Sequence, residues 1–220
     1  MRVSTGVQQA TARPRERNRR GEGGRLRADI LDAATKLLDR GGDEQAVTLR
    51  AVARHVGISA PSIYPHFRDR QAILSSLVHD AFAELEQALQ EAAAGVDDPV
   101  ACLYTLATAY LDFATTRPQR YRVMFGGVWN GARAVEGGAV SQAQVDALGQ
   151  GSLRLLAATL EAVAAAGHSA STDPLADAVA LWVALHGLAS QRAAAPLFPW
   201  PDGFAAQLVD RVSLLKPADR

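Results

Sequence analysis

The sequence predicts an all-α fold: an N-terminal three-helix unit built on a helix-turn-helix, then a larger C-terminal helical domain, with about nine helices altogether. Three observations predict it. No stretch of the 220 residues alternates apolar and polar side chains as a half-buried strand requires, whereas apolar residues recur at helical spacing along most of the chain. The length exceeds one small module and leaves room for a second core of about 150 residues, a common domain size. Charge is unevenly divided: residues 1–70 hold 14 Lys or Arg against 8 Asp or Glu, a net +6, and residues 71–220 hold 9 against 15, a net −6. A formal net charge of zero therefore hides one basic end suited to a polyanion.

Residues 1–24 are polar, rich in Arg and Gly and without an apolar period, so they read as a basic arm that is disordered when free. From Arg25 to Arg40 the apolar residues Leu26, Ile30, Ala33, Ala34, Leu37 and Leu38 form a helical stripe, which Gly41 and Gly42 end. The stretch from Thr48 to Leu74 organises what surrounds it. Leu49, Val52, Ala53 and Val56 give one face to a short helix that Thr48 caps through its hydroxyl. Gly57 takes the left-handed conformation that ends this helix, Ile58 turns back to the core, and Ser59 caps a second helix with Pro61 in its first turn. Ile63 and Phe67 bury one side of the second helix, which leaves Ser62, Tyr64 and His66 facing outward. Pro65 removes an N–H, so this helix should be short or bent after one turn. The pair is a helix-turn-helix whose second helix is shaped to enter a DNA major groove.

Asp69 caps a helix running from Arg70 to about Ala94, with Ile73, Leu74, Leu77, Val78, Ala81, Phe82, Leu85 and Leu89 on its buried face. At about 25 residues it spans roughly 37 Å and joins the two domains mechanically. Asp97, Asp98 and Pro99 open the next helix, which carries Leu103, Leu106, Ala107, Tyr110, Leu111 and Phe113 and breaks at Arg117 and Pro118. A short helix from Pro118 to Phe125, a glycine-rich loop from Gly126 to Gly138 and a long helix from Ser141 to Ala166 follow. Asp173 and Pro174 begin a helix to about Ala194; Pro196, Pro199 and Pro201 make a rigid connector; Asp202 caps a last helix to Leu215. The domain boundaries expected are 1–24 for the arm, 25–70 for the helix-turn-helix and 71–220 for the rest.

Thr48, Arg50, Ala53, Gly57, Ile58, Ser59, Pro61, Ile63, Tyr64, His66, Phe67, Asp69 and Leu74 stand as they do in the DNA-binding domain of TetR-family transcriptional regulators, which this stretch resembles. Arg70 departs from the Lys usual in the family, keeping the charge but adding a forked guanidinium that can grip a phosphate. In the C-terminal half, Trp182, His186 and Gly187, with Phe198, Pro199, Trp200 and Pro201, look like the ligand-binding domain of one subgroup of that family. The resemblance implies a homodimeric regulator, a repressor of a near-palindromic double-stranded DNA operator, released by a small-molecule effector.

It also implies where the sites lie. Thr48, Tyr64 and Arg70 would meet backbone phosphates, and Arg50, Ser59, Ala60, Pro61, Ser62, Tyr64 and His66 complete the expected DNA face. Tyr64 could instead pack between the helices, and Arg50 could serve solubility. Tyr104, Tyr110, Phe113, Met124, Phe125, Trp129, Trp182 and His186 gather large apolar side chains with polar tips, as a pocket for an apolar or aromatic effector requires, although core packing explains several of them. His186 reads either as a hydrogen-bonded histidine at a helix crossing or as a ligand contact. Val179, Trp182, Val183, His186, Phe204, Leu208 and Val212 supply the surface for a four-helix dimer interface, against packing within one subunit. Arg13, Arg15, Arg17, Arg19 and Arg20 read either as a solvated tail or as a minor-groove arm.

Other chemistry finds no footing. His55, His66, His79, His168 and His186 form no H-x-x-x-H pair, and Cys102 is the sole cysteine, so neither a metal site nor a disulfide is expected. Cys102 reads as a small core residue in a reducing cytoplasm. No glycine cluster is followed by Lys-Ser or Lys-Thr, no Gly-x-Ser-x-Gly elbow occurs, and no apolar run of about 18 residues suggests a membrane span. No cofactor and no enzymatic activity are expected. The rival class is a helical protein–protein interaction module without specific DNA binding.

Overall fold

The computed structural model describes residues 23–41, 46–127 and 129–217, so residues 1–22 of the expected arm lie outside the described residues, while Gly23 and Gly24 already belong to the first helix. Among them are ten α-helices and one 3-10 helix, with no strand beyond a single isolated bridge between Ser169 and Leu215. The described residues divide into two compact units, one ending at Ile73 and the other beginning at Leu74.

In the first unit α1 (Gly23–Gly41) packs on α2 (Leu49–Val56), and the 3-10 helix Ala60–Ile63 packs on α2. Its core is Ile30, Ala34, Leu38, Val47, Val52, Ala53, Ile63 and Phe67, each nearly sealed from water. Ile63 and Phe67 come from the segment after the turn and so seat it on the helices before it. The Arg27 guanidinium lies over the Phe67 ring, 4.9 Å from its centroid, extending the apolar seat with a cation–π contact.

The division between units falls within α3 (Arg70–Ala93), whose first turn Asp69 caps by accepting from the Ala72 amide at 2.8 Å. In the second unit, α4 (Pro99–Thr116) is capped by Asp98, which accepts from the Ala101 amide at 2.6 Å. Then come α5 (Pro118–Phe125), α6 (Gly131–Glu136), α7 (Gln142–Asp146), α8 (Gln150–Ala165), α9 (Pro174–Ala194) and α10 (Phe204–Val212). Leu85, Leu103, Leu106, Tyr110, Leu156, Leu160, Leu181 and Leu185 fill the core where α4, α8 and α9 meet.

The second helix of the helix-turn-helix is short, as Pro65 predicts, and it is a single 3-10 turn; its amides reach back three residues, as Ser62 does to the Ser59 carbonyl. Four expectations change. Ser59 caps no amide with its side chain, because its hydroxyl pairs with that of Ser62 at 2.8 Å. The loop expected at Gly126–Gly138 contains α6, started by Asn130 accepting from the Arg133 amide at 3.0 Å and held by the buried Ala134.

The helix expected over Ser141–Ala166 is two. Gly149 adopts φ 73°, where a side chain is strained, and a Cβ there would come within 3.0 Å of the Phe82 ring. Finally, Gly203 at φ 69° takes the cap position expected of Asp202, and α10 stops at Val212. The chain leaves that helix because residues beyond it pair with His168–Ala170: Ala170 donates to the Leu214 carbonyl at 3.0 Å and Lys216 to the His168 carbonyl at 2.9 Å.

Candidate nucleic-acid interface and ligand cleft

The helix-turn-helix is positioned by short-range bonds. Thr48 has extended backbone and its hydroxyl accepts from the Ala51 amide at 3.1 Å, which starts α2 with Arg50 exposed in its first turn. Gly57, at φ 78°, closes α2 by donating to the Ala53 carbonyl, and Ile58 donates to the same oxygen. The next residues come out in two sets. Ile63 and Phe67 are buried; Ser59, Pro61 and Tyr64 are exposed, and Ala60, Ser62 and His66 are half-buried. Tyr64 is 57% exposed, so its ring is not the packing element between the helices.

Arg70 does something that its spacing did not suggest. Its Nε donates to the Val47 carbonyl at 2.8 Å, tying the first residue of α3 to the residue just before the Thr48 cap. Part of its guanidinium is therefore a structural strap.

In the second unit the predicted pocket residues separate. Phe125 and His186 line a cleft of about 330 Å³ between α4, α5 and α9, together with Tyr121, Arg122, Ala114 and Ser190. Tyr110 and Phe113 lie beneath it in the core, and the Arg117 guanidinium sits 5.4 Å from the Phe113 ring. Met124 and Trp182 are half-buried against the same core. Tyr104 is elsewhere: its hydroxyl donates to Asp210 in a second, more polar cleft with His168 and Lys216, and burial beside that carboxylate pushes the phenol up to about 12. Trp129 packs near Gly131, with its indole nitrogen buried and without a partner among the described residues.

Tyr121 is the cleft residue that the spacing argument missed. It lies four residues before Phe125 on α5, as Trp182 lies four before His186 on α9, and these two matching pairs meet. Tyr121 bonds His186 Nδ1 at 2.6 Å and Tyr110 at 3.1 Å. The His186 ring stacks on Tyr121 at 5.7 Å and lies 4.5 Å from Phe125, which in turn meets Trp182 at 6.3 Å. Burial lowers the His186 imidazole from its ordinary value and raises the phenols of Tyr110 and Tyr121, so all three are neutral at neutral pH. Phe82 of α3 packs edge-on against Phe125 at 5.6 Å. Glu84 of the same helix pairs with Arg120 at 3.0 Å and Arg117 at 3.5 Å, fastening α3 to the start of α5.

Along α9, Leu175, Val179 and Val183 follow at intervals of four, exposed at 56, 38 and 55%. Trp182 and His186 turn instead toward rings of their own chain. On α10, Phe204, Leu208 and Val212 are half-buried.

A sequence model described as "Bacterial regulatory proteins, tetR family" matches residues 30–77, and one described as "Tetracyclin repressor-like, C-terminal domain" matches residues 103–212, half of the chain. The chain belongs to the TetR family. As a TetR-family protein it is classed with transcriptional regulators and not with enzymes. It is 29% identical over 107 residues to the HTH-type transcriptional regulator Mb1846 of Mycobacterium bovis, a match covering 46% of this chain and 44% of that relative. The match thus spans less than half the length of the curated relative. A solved protein of unknown function from Rhodococcus sp. RHA1 superposes with a TM-score of 0.71 at 29% identity, covering 87% of this chain and 95% of that one. A TetR-family regulator from Pectobacterium atrosepticum gives 0.62 at 25% identity, covering 91% and 100%. Among the described residues no helix is long and apolar enough to cross a membrane, and no cluster of ligating side chains could hold a metal.

Proposed function

We propose that the protein is a cytoplasmic homodimeric repressor that binds a near-palindromic operator in double-stranded DNA and releases it when an apolar or aromatic small molecule fills the α4–α5–α9 cleft. The observation that carries the DNA half is the split of one nine-residue segment, Ser59 to Phe67, into buried anchors and an outward face. Ile63 and Phe67 fix it to α1 and α2, while Tyr64, Pro61 and Ser59 stand in water with the exposed Thr48 and Arg50 nearby in the chain. Thr48, Tyr64 and Arg70 contact phosphates in this reading; Ser62, Tyr64 and His66 contact base edges. Each subunit reads a short half-site, and the dimer reads two.

Dimerisation is supported by the row Leu175, Val179 and Val183, an apolar stripe on α9 that a monomer would leave in water. Phe204, Leu208 and Val212 of α10 extend it. Release is transmitted by α3. An effector that wedges α5 from α9 pulls on Phe82 and Glu84, and the strap from Arg70 to Val47 carries a shift of the helix to the start of α2. The effector must bind one of the two arrangements better to move the equilibrium.

Selection of bound fragments from random double-stranded DNA tests the reading. An inverted repeat should emerge, bound at least a thousandfold more tightly than unselected sequence at physiological salt, within the range of specific regulators of roughly 10³–10⁷. Equal affinity for all fragments would sink it in favour of an interaction module.

A further inference from the structure

The cleft between α4, α5 and α9 is one end of a longer groove. A second hollow of about 430 Å³ on the same helices shares four wall residues with it, Ala114, Pro118, Ala189 and Ala193, so the two are continuous. One end carries the rings of Tyr121, Phe125 and His186, and the other is closed by Leu111, Thr115 and Arg192. His186 and Arg192 are six residues apart on α9, about 9 Å of rise along its axis.

Charge along this groove runs against that of its surroundings. Residues 71–220 are net acidic, yet four of their nine basic side chains, Arg117, Arg120, Arg122 and Arg192, stand on α5, just before it, or near the end of α9. α5 holds no acidic residue, and α9 holds none after Asp177. Arg117 and Arg120 share Glu84, and Arg122 donates to Gln119 Oε1. Arg192 differs from all three: it is half-buried, lines the second hollow, and has no hydrogen bond or ion pair among the described residues. Thr115, the other polar side chain of that hollow, donates its hydroxyl to the Leu111 carbonyl at 2.9 Å. A cation drawn partly out of water beside apolar walls gains from an anion seated in the same hollow.

We propose that the effector is an elongated apolar or aromatic monocarboxylate, its body against Tyr121, Phe125 and His186 and its carboxylate accepting from the Arg192 guanidinium. This rests on the cleft being the effector site, as argued above. One planar guanidinium meets one carboxylate through two parallel bonds. A phosphate dianion would bring a second negative charge to a hollow lined by one cation, and an amine would set cation against cation.

Titration of the full chain with matched probes tests this: 4-phenylbutyrate against 4-phenylbutan-1-ol, and octanoate against octan-1-ol, which differ in the charged group. Each acid should bind at least tenfold more tightly than its alcohol. The advantage should drop below twofold in Arg192→Gln, return in part in Arg192→Lys, and survive in Arg122→Gln. An arginine that only lays its stem along the apolar wall would weaken acid and alcohol alike, and that result would overturn the proposal. So would an advantage kept in Arg192→Gln and lost in Arg122→Gln. If Arg192→Gln sedimented as a monomer where the unsubstituted chain is a dimer, the guanidinium would belong to a subunit contact, which also overturns it. Equal binding within each pair would refute the carboxylate and leave the cleft standing as an effector site. No binding by any of the four at millimolar concentration, with operator affinity unchanged, would remove the cleft as a site and the proposal with it.

Discussion

The two functional regions are built on different principles. In the helix-turn-helix the bonds that fix the geometry join near neighbours: Thr48 to Ala51, Gly57 to Ala53, Ser62 to Ser59. In the α4–α5–α9 cleft they join residues far apart in the chain, as Tyr121 and His186 are, 65 positions from each other. A site held by local chemistry tolerates changes elsewhere in the protein. A site assembled from three helices reports on all of them.

The contrast can be broken at Ile63, which is fully buried in the first unit. Ile63→Ala should cost about 2–5 kcal/mol. Trp129, Trp182 and Trp200, the only tryptophans, all belong to the second unit, so the urea transition followed by tryptophan emission should stay in place while operator binding is lost. If the emission transition moved equally with the loss of binding, the two units would not be separate folding bodies.

Tyr64→Ala sharpens it from the other side. The ring is exposed, so the melting temperature should hold within the effect of ~0.5 kcal/mol expected at a surface site, while operator affinity in gel shifts falls at least about tenfold, or ~1.4 kcal/mol. A stability loss as large as the affinity loss would make Tyr64 a packing residue.

Thr48→Ala removes one cap and should cost about 1 kcal/mol, through the first unit alone. Calorimetry of this variant is the check, and an unchanged enthalpy and midpoint would mean that α2 starts without the hydroxyl.

The smallest effect is a pH dependence confined to the cleft. Burial holds the folded-state pKa of His186 below its unfolded value of about 6.5. Between these values the unfolded chain binds more protons, so stability falls as pH drops below about 6.5 and stops falling once the folded-state pKa is passed. Melting temperatures from pH 7.5 to 5.5 should decline in the wild type and flatten in His186→Gln; identical slopes would assign the decline to other groups.

What could be read from sequence follows the same divide. The cap at Thr48, the left-handed Gly57, the burial of Ile63 and Phe67 and the stop at Pro65 were legible because their causes lie within a few residues. Ser59 was misread even there, since its hydroxyl and that of Ser62 satisfy each other and no periodicity reveals a rotor. In the second unit composition grouped Phe125, His186, Tyr104 and Trp129 alike, whereas the first two line the α4–α5–α9 cleft and the other two lie elsewhere. Only packing separates them. The break at Gly149 was hidden for a related reason: an Ala- and Leu-rich run predicts helix, and the Phe82 ring, 67 residues earlier, accompanies the turn that interrupts it.

The single-turn reading segment has a consequence for how an operator would tolerate mutation. A four-residue 3-10 helix spans too little of the groove for one subunit to inspect many base pairs, and each mismatch costs only about 1–3 kcal/mol. Under the dimer reading, the two half-sites must lie at a separation set by the helical repeat of about 10–10.5 base pairs. Inserting or deleting a few spacer pairs, which changes no contacted base, rotates one half-site away from its reader. Such an operator would be forgiving in its letters and strict in its spacing.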